Sequence, residues 1–254
     1  MDLALPTSSI LGFFFALVRT TAWISICPPF NSPSIPKRIR VGLATAISFT
    51  LASGLGASMS PDLALGGFVV SILTQVVAGL ALGFAVYFLF SAIQAAGDLI
   101  DLQVGFSIGA VFDPLSGASA SPIGRFHQLL AITILFAIDG HVMVVKGYMR
   151  SVEAVPLGQL DMADFGEQLL GLLAVFLAAA VEIGLPVLAA LFLAEIALGL
   201  LGKVAPQMNI LVLGFAVKSF IAIALLGITL VLLPETVESL VGRAFRAGAE
   251  AFGG

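Results

Sequence analysis

Long apolar runs, separated by short polar or proline-rich breaks, dominate the pattern of the chain. No charged residue occurs from Leu63 to Gly97, from Gln168 to Val181 or from Ser219 to Pro234. A helix needs about 20 apolar residues to cross a bilayer, and these runs approach or exceed that length once their flanks are counted. Because backbone in lipid must satisfy its own hydrogen bonds, the pattern predicts helices. Runs such as LLGLLAVFLAAAV lack the alternation of a transmembrane β-barrel.

Six helices are predicted from the positions of the breaks. They cover about 8–27, 39–57, 63–97, 127–149, 168–203 and 208–233. The third and fifth exceed one bilayer crossing, which indicates tilt, a kink or extension outside the membrane. Glu182, Gly184 and Pro186 mark the expected kink in the fifth. The polar segment 151–167 predicts an exposed linker or a short amphipathic helix. We therefore expect an all-α integral-membrane fold of long, kinked helical hairpins.

Composition supports this class and excludes a water-soluble domain. The chain is 59% hydrophobic and 10% charged, with a mean hydropathy of +1.13, whereas soluble proteins are about 25% charged. Asp2 and Arg19 are unlike a cleaved signal peptide, so the first helix is expected to be retained. The basic cluster around Lys37 and Arg40 predicts a cytoplasmic turn. The net charge of -4 is spread thinly and says little about partners, and the eleven scattered Lys and Arg give no footprint for nucleic-acid binding.

Candidate catalytic chemistry is sparse. The two histidines, His127 and His141, occur without an HExxH motif, and no GxxxxGK[ST] phosphate loop is present. The single cysteine, Cys27, permits no disulfide within the chain and is interpreted as a small buried hydrophobic residue. We expect no catalytic residue, cofactor or metal site, and interpret the histidines as polar contacts between packed helices.

The segment from Gly97 to Arg125 is the most unusual part of the sequence. It lies between two apolar blocks, is weakly charged and contains several glycines. Asp98 and Asp101 fall three residues apart, on one face of a helix. Irregular backbone at membrane depth is tolerated where it is buried in protein or lines a cavity. Two interpretations follow: a constriction that faces a lumen, or an ordinary connector packed on neighbouring helices.

Polar residues on the last two apolar blocks give a geometric prediction. The turn at Pro206 to Asn209 predicts an antiparallel hairpin, in which Glu195 and Lys218 each lie roughly 17 Å from the turn. Pairing lowers the cost of a charge inside the membrane. An ion pair between them is predicted, within the chain or across to a neighbouring subunit; separate polar contacts are the alternative. The other polar residues expected to pack between helices are Arg19, Glu182, Lys203 and Asn209.

Three stretches of the chain resemble a known family. They are LVRTTAWISICPPFNSPSIPKRIRVGLA, the run from VGFSIGAVFDPLSGASASPIGRFHQ through FAIDGHVMVV to VEAVPLG, and ALGLLGKVAPQMNILVLGFAVK. In this order they cover most of the chain and resemble the flagellar export-gate family FliR, whose relatives in virulence injectisomes are called SctT. The resemblance implies a helical, hetero-oligomeric gate formed with FliP and FliQ, associated with FlhB, in the flagellar basal body of the bacterial inner membrane.

The resemblance also implies a division of the chain and a role for the unusual loop. Residues 1–150 would be a FliP-like portion, 151–167 a linker and 168–254 a FliQ-like hairpin with its tail. The loop at about 105–122 would plug the channel taken by unfolded flagellar proteins. The implied plug residues are Gly105, Phe106, Ile108, Gly109, Val111, Phe112, Asp113, Pro114 and Gly117. A membrane transporter of small solutes is the alternative class, with Glu182, Glu195, Lys203 and Lys218 as its relay.

Overall fold

The computed structural model describes residues 7–32, 35–57, 65–106, 121–154 and 162–251, and every regular element among them is a helix. The helices are α1 (Thr7–Ile26), α2 (Lys37–Ala57), α3 (Leu65–Val104), α4 (Pro122–Ala137), α5 (Gly140–Ala154), α6 (Met162–Val204) and α7 (Ile210–Ala251). The predicted all-α membrane fold is confirmed.

Three helices are longer than predicted. α3 continues through Asp98 and Asp101 to Val104, because these carboxylates bind groups of the same molecule and need not leave the helix for water. α6 begins at Met162, inside the predicted linker. α7 continues past Pro234 to Ala251. The predicted end of the third helix at residue 97 is therefore early by about two helical turns.

The fourth predicted helix is two helices. α4 and α5 meet at a bend of 79°. At the bend, Asp139 has φ 54°, a left-handed conformation that Asp adopts more readily than most residues. Its carbonyl then accepts a hydrogen bond from Val142 at 3.0 Å in the first turn of α5. The hydropathy of this apolar block therefore did not predict the sharp bend within it.

Four helices of the described chain are long and apolar enough to cross a membrane, or up to five if the bent pair counts as one span. The four spans are Ser9–Ile26, Leu65–Val104, Leu173–Val204 and Ile210–Val231. α2 is not among these four spans of the described chain.

The chain forms two compact units, each discontinuous in sequence. The first comprises Met1–Leu89, Asp139–Leu173 and Leu240–Gly254, and the second comprises Phe90–Ile138 and Ala174–Ser239. These two units are defined by the contacts within the fold. The predicted domain division at residues 150 and 168 rests on the family resemblance instead and stays a prediction.

The first unit is built on close contact between α1 and α3. Gly83 lies so near α1 that a Cβ there would be 3.0 Å from the carbonyl oxygen of Trp23, as small residues in membrane helices allow. Tyr148 of α5 stacks on Trp23 with ring centroids 4.3 Å apart, and its hydroxyl lies 2.8 Å from that of Thr20. Arg19, fully buried, lies beside this tyrosine.

Cys27 follows α1 directly and is fully buried, with its thiol donating to the carbonyl of Pro28 at 3.2 Å. Burial raises the pKa of this thiol well above its ordinary value, because the thiolate would lose its hydration. The side chain is thus protonated and packed, in agreement with its interpretation as a small hydrophobic residue.

The core of the second unit joins the end of α3 to α4 and to the α6–α7 hairpin. Its buried members are Ile100, Val104, Ile123, Val187, Leu191 and Ala222. The hairpin is antiparallel as predicted: a Cβ at Gly214 of α7 would lie 3.5 Å from Leu198 of α6. The last turn of α3 is therefore packed on three other helices, and this turn positions the candidate site.

Candidate functional site

The C-terminal end of α3 is closed by a glycine. Gly105 has φ 105°, in the region that disfavours other residues. The N–H groups of Gly105 and Phe106 both donate to the carbonyl of Asp101 at 3.0 Å. This turn directs Phe106 back onto the core cluster that includes Ile100, as in helix ends closed by a glycine. The rings of Phe106 and Phe215 also meet edge to face, with centroids 5.6 Å apart.

The N-terminus of α4 is capped by a residue of α3. The Asp101 Oδ2 atom accepts hydrogen bonds from the N–H groups of Ile123 and Gly124, at 2.9 Å and 3.0 Å. It also accepts the hydroxyl of Ser121 at 2.6 Å. Ser121 occupies the N-cap position but makes no capping bond itself, because its hydroxyl is directed to the carboxylates of Asp98 and Asp101.

Asp101 therefore binds both ends of the segment that joins α3 to α4. Its backbone oxygen holds the Gly105 side, and its side chain holds the Ser121 side. Asp101 is fully buried, and the positive end of the α4 dipole offsets its charge. We call Asp98, Asp101, Ser121 and the first turn of α4 the carboxylate clasp.

Two glycines allow the clasp to close. A Cβ at Gly97 would lie 2.6 Å from the Cα of Gly124 and 2.7 Å from its nitrogen. No side chain larger than hydrogen fits at this crossing without moving α4. The contact brings the N–H groups of α4 within reach of Asp101.

His127 extends the clasp by one turn of α4. Its ring is fully buried, and Nδ1 lies 2.9 Å from the carbonyl of Ile123. That acceptor requires Nδ1 to carry a proton. Nε2 then has no hydrogen-bond partner within the described residues. No three His, Cys, Asp or Glu side chains in the described parts of the chain are grouped to hold a metal ion.

Two of the implied plug residues lie among the described residues, and the other seven do not. Gly105 and Phe106 lie where α3 ends, as described above. The others, namely Ile108, Gly109, Val111, Phe112, Asp113, Pro114 and Gly117, lie outside the described residues. Their role as a plug stays a prediction, whereas both attachment points of the segment are defined.

Glu195 and Lys218 meet the same residue of α3, Gln103. The side-chain amide of Gln103 donates to Glu195 Oε2 at 2.7 Å, and Lys218 Nζ donates to the Gln103 backbone carbonyl at 2.9 Å. That carbonyl belongs to the last turn of α3, where a cation is favourable. The sequence thus placed the two charges at the correct level of the hairpin. Within this chain they bind Gln103 rather than each other, and pairing across subunits stays a prediction.

These contacts predict how the two charges respond to substitution. Because each binds a different group of Gln103, Glu195→Gln and Lys218→Met should destabilise independently, by about 1 kcal/mol or less each, and their effects should add. Thermal unfolding of both single variants and the double variant in detergent measures this. A double variant more stable than the sum of its parents would instead support a direct ion pair.

The remaining predicted polar residues lie apart from the clasp. Arg19 is buried in the first unit. Asn209 caps α7 by accepting the N–H of Val212 at 3.3 Å. Lys203 lies in the last turn of α6, and Glu182 is exposed on the same helix. Asn209 therefore serves its own helix, a role that its place before an apolar run could have indicated.

Sequence reasoning missed Ser121 and Gln103. Ser-Pro before an apolar run is typical of a helix start, with serine at the N-cap and proline in the first turn, and this signal could have placed the start of α4. Gln103 carries no comparable signal. Its importance depends on three helices that meet only in the folded chain.

The helices and the polar contacts inside their spans define an integral membrane protein with several helical spans. Residues 10–244 match the family described as "Bacterial export proteins, family 1", and the chain belongs to that family.

Named relatives cover nearly the whole chain. It is 31% identical to the flagellar biosynthetic protein FliR of Pectobacterium carotovorum subsp. carotovorum, over 92% of this chain and 89% of the relative. The FliR protein of Escherichia coli K12 is 30% identical, over 94% and 91%. The surface presentation of antigens protein SpaR of Shigella flexneri is 28% identical, over 84% and 81%. The resemblance seen in the sequence is thereby confirmed.

Proposed function

We propose that this chain is a non-enzymatic subunit of the flagellar type III export gate, in the bacterial inner membrane at the flagellar basal body. It assembles with FliP, FliQ and FlhB and forms part of the channel for unfolded flagellar proteins. The match to an export family along residues 10–244 carries this proposal. Six relatives at 25–31% identity are named FliR, which supports the flagellar branch.

In this proposal the segment that begins at Gly105 and ends at Ser121 closes the channel. Its sequence supplies apolar residues that exclude water and ions, among them Val111 and Phe112. The carboxylate clasp supports the role, because it fixes both ends of the segment on one residue, Asp101. A segment anchored at both ends can close a channel at rest, and its middle can move aside when a chain passes.

Ion leakage tests the plug. Deletion of Val111 to Ala118 should raise membrane conductance several-fold, because an apolar constriction excludes ions by dewetting. Replacement of the same eight residues by a Gly/Ser sequence of equal length should also leak, since that sequence keeps the length and removes the apolar side chains. Conductance is measured in planar bilayers with the assembled gate. An unchanged leak in both variants would contradict the plug assignment.

A solute transporter is the less favoured class. The charges that would form its relay include Glu195 and Lys218, and both are engaged with Gln103 at the end of α3. A transporter purifies as a monomer or a symmetric oligomer that binds a small ligand. A gate subunit is recovered with FliP and FliQ, and this comparison separates the two classes.

A further inference from the structure

Glu182 is an exposed acidic residue on an apolar face of α6. It lies within the candidate span Leu173–Val204. The side chains one turn before and one turn after, at Ala178 and Leu185, are exposed on the same face. Leu177 and Val181, beside them, are also exposed apolar residues. A carboxylate thus lies in the middle of an exposed apolar surface.

Other charges inside the four spans have partners in the chain, except Lys203 at the very end of its span. Asp98 and Asp101 bind Ser121, while Glu195 and Lys218 bind Gln103. Arg19 is buried and engaged, and Lys203 lies in the favourable last turn of α6. Glu182 differs, because no hydrogen bond or ion pair links its carboxylate to any described residue.

The backbone at the same residue also lacks a donor. Pro186 lies inside α6, and proline has no N–H to give to the carbonyl four residues earlier, which is that of Glu182. The residue therefore presents a carboxylate and a carbonyl without its usual i+4 donor. Both are acceptors, so the surface that covers them must supply donors.

Neither lipid tails nor an apolar helix can supply donors. A charge at membrane depth is expensive in hydrocarbon and normally has a partner. A Lys or Arg side chain supplies both several N–H donors and a compensating charge. The exposed alanines Ala178 and Ala189 flank Glu182 along the face and allow a neighbouring helix to approach closely.

We propose that the face of α6 formed by Ala178, Glu182, Leu185 and Ala189 docks a transmembrane helix of a different protein chain, whose Lys or Arg binds Glu182. The inference rests on the proposed function, in which partner subunits surround this chain. It adds the residue that orients one of them and the chemistry that the partner must present at that depth.

Charge reversal in the full-length chain, expressed in its own cells, tests the docking face. Glu182→Lys should lower the amount of partner subunits recovered with the chain by about tenfold or more, because it places like charges together. Glu182→Gln, which keeps size and one acceptor, should lower it less. Glu238→Lys is the matched control, since Glu238 is exposed on α7 outside the candidate spans. Solubilised yield and size-exclusion profile show that each variant folds.

The outcomes separate the inference from the proposed function. Restoration of Glu182→Lys by a Lys→Glu or Arg→Glu change in a partner chain supports the docking face. Full recovery of partners with Glu182→Lys, or an equal loss with Glu238→Lys, overturns it while leaving the gate assignment intact. Restoration by a change in a second copy of this chain also overturns it. If the unaltered chain recovers no membrane partner, both proposals fail. Should Glu182→Lys not fold, undiminished recovery with Glu182→Ala overturns the docking face.

Discussion

Asp101→Ala should lower the free energy of unfolding of the second compact unit by about 3 kcal/mol or more. Two donors, the N–H groups of Ile123 and Gly124, would lose their acceptor together, and the hydroxyl of Ser121 would keep only the carboxylate of Asp98. The side chain is fully buried, so water cannot replace it without rearrangement. The start of α4 would also lose the negative charge that its dipole favours.

Asp98→Ala is the matched control for the clasp. Within the clasp, the Asp98 carboxylate accepts one hydrogen bond, from the Ser121 hydroxyl. The substitution should therefore destabilise the unit by about 1 kcal/mol. Helix content followed by far-ultraviolet circular dichroism during heating in detergent measures both variants. The single tryptophan, Trp23, lies in the first unit and reports on that unit separately. Equal melting of Asp98→Ala and Asp101→Ala would contradict the capping role of Asp101.

Hydropathy was sufficient to predict that the helices exist, because an apolar run in a membrane protein has few other structures available. It could not place their ends. The prediction stopped α3 at Gly97 since Asp98 and Asp101 follow, whereas both carboxylates bind groups from a segment about 20 residues later. A charged residue need not end a membrane helix where the fold supplies a partner, and the sequence does not show the partner.

The polar contacts show the same limit. Equal distance from the turn correctly placed Glu195 and Lys218 at one level of the hairpin, because helical rise is regular. Their actual partner, Gln103, comes from a third helix and is invisible to an argument about two. Likewise the spacing of Asp98 and Asp101 gave their common face, while the Ser121 hydroxyl that joins them required the folded arrangement.

Gly97→Ala should destabilise the same unit by about 2–3 kcal/mol, through geometry rather than through a lost charge. The added methyl carbon would lie 2.6 Å from the Cα and 2.7 Å from the nitrogen of Gly124, and 2.9 Å from the carbonyl carbon of Ile123. All three are backbone atoms, which cannot rotate aside as a side chain can. α4 would have to move away from α3, and its first N–H groups would leave Asp101.

Gly199→Ala separates this clash from the general effect of adding a methyl group to a helix. Nothing lies within 4 Å of a Cβ at Gly199, so the substitution should leave stability unchanged or raise it by up to about 1 kcal/mol. Because Gly97→Ala acts by breaking the bonds that Asp101 makes, Gly97→Ala and Asp101→Ala combined should destabilise by less than the sum of the two. The same heating experiment in detergent measures all four variants. Two results would show that the close crossing of α3 and α4 does not hold the clasp together. One is that the destabilisations by Gly97→Ala and Asp101→Ala add in the double variant, and the other is that Gly97→Ala and Gly199→Ala melt at the same temperature.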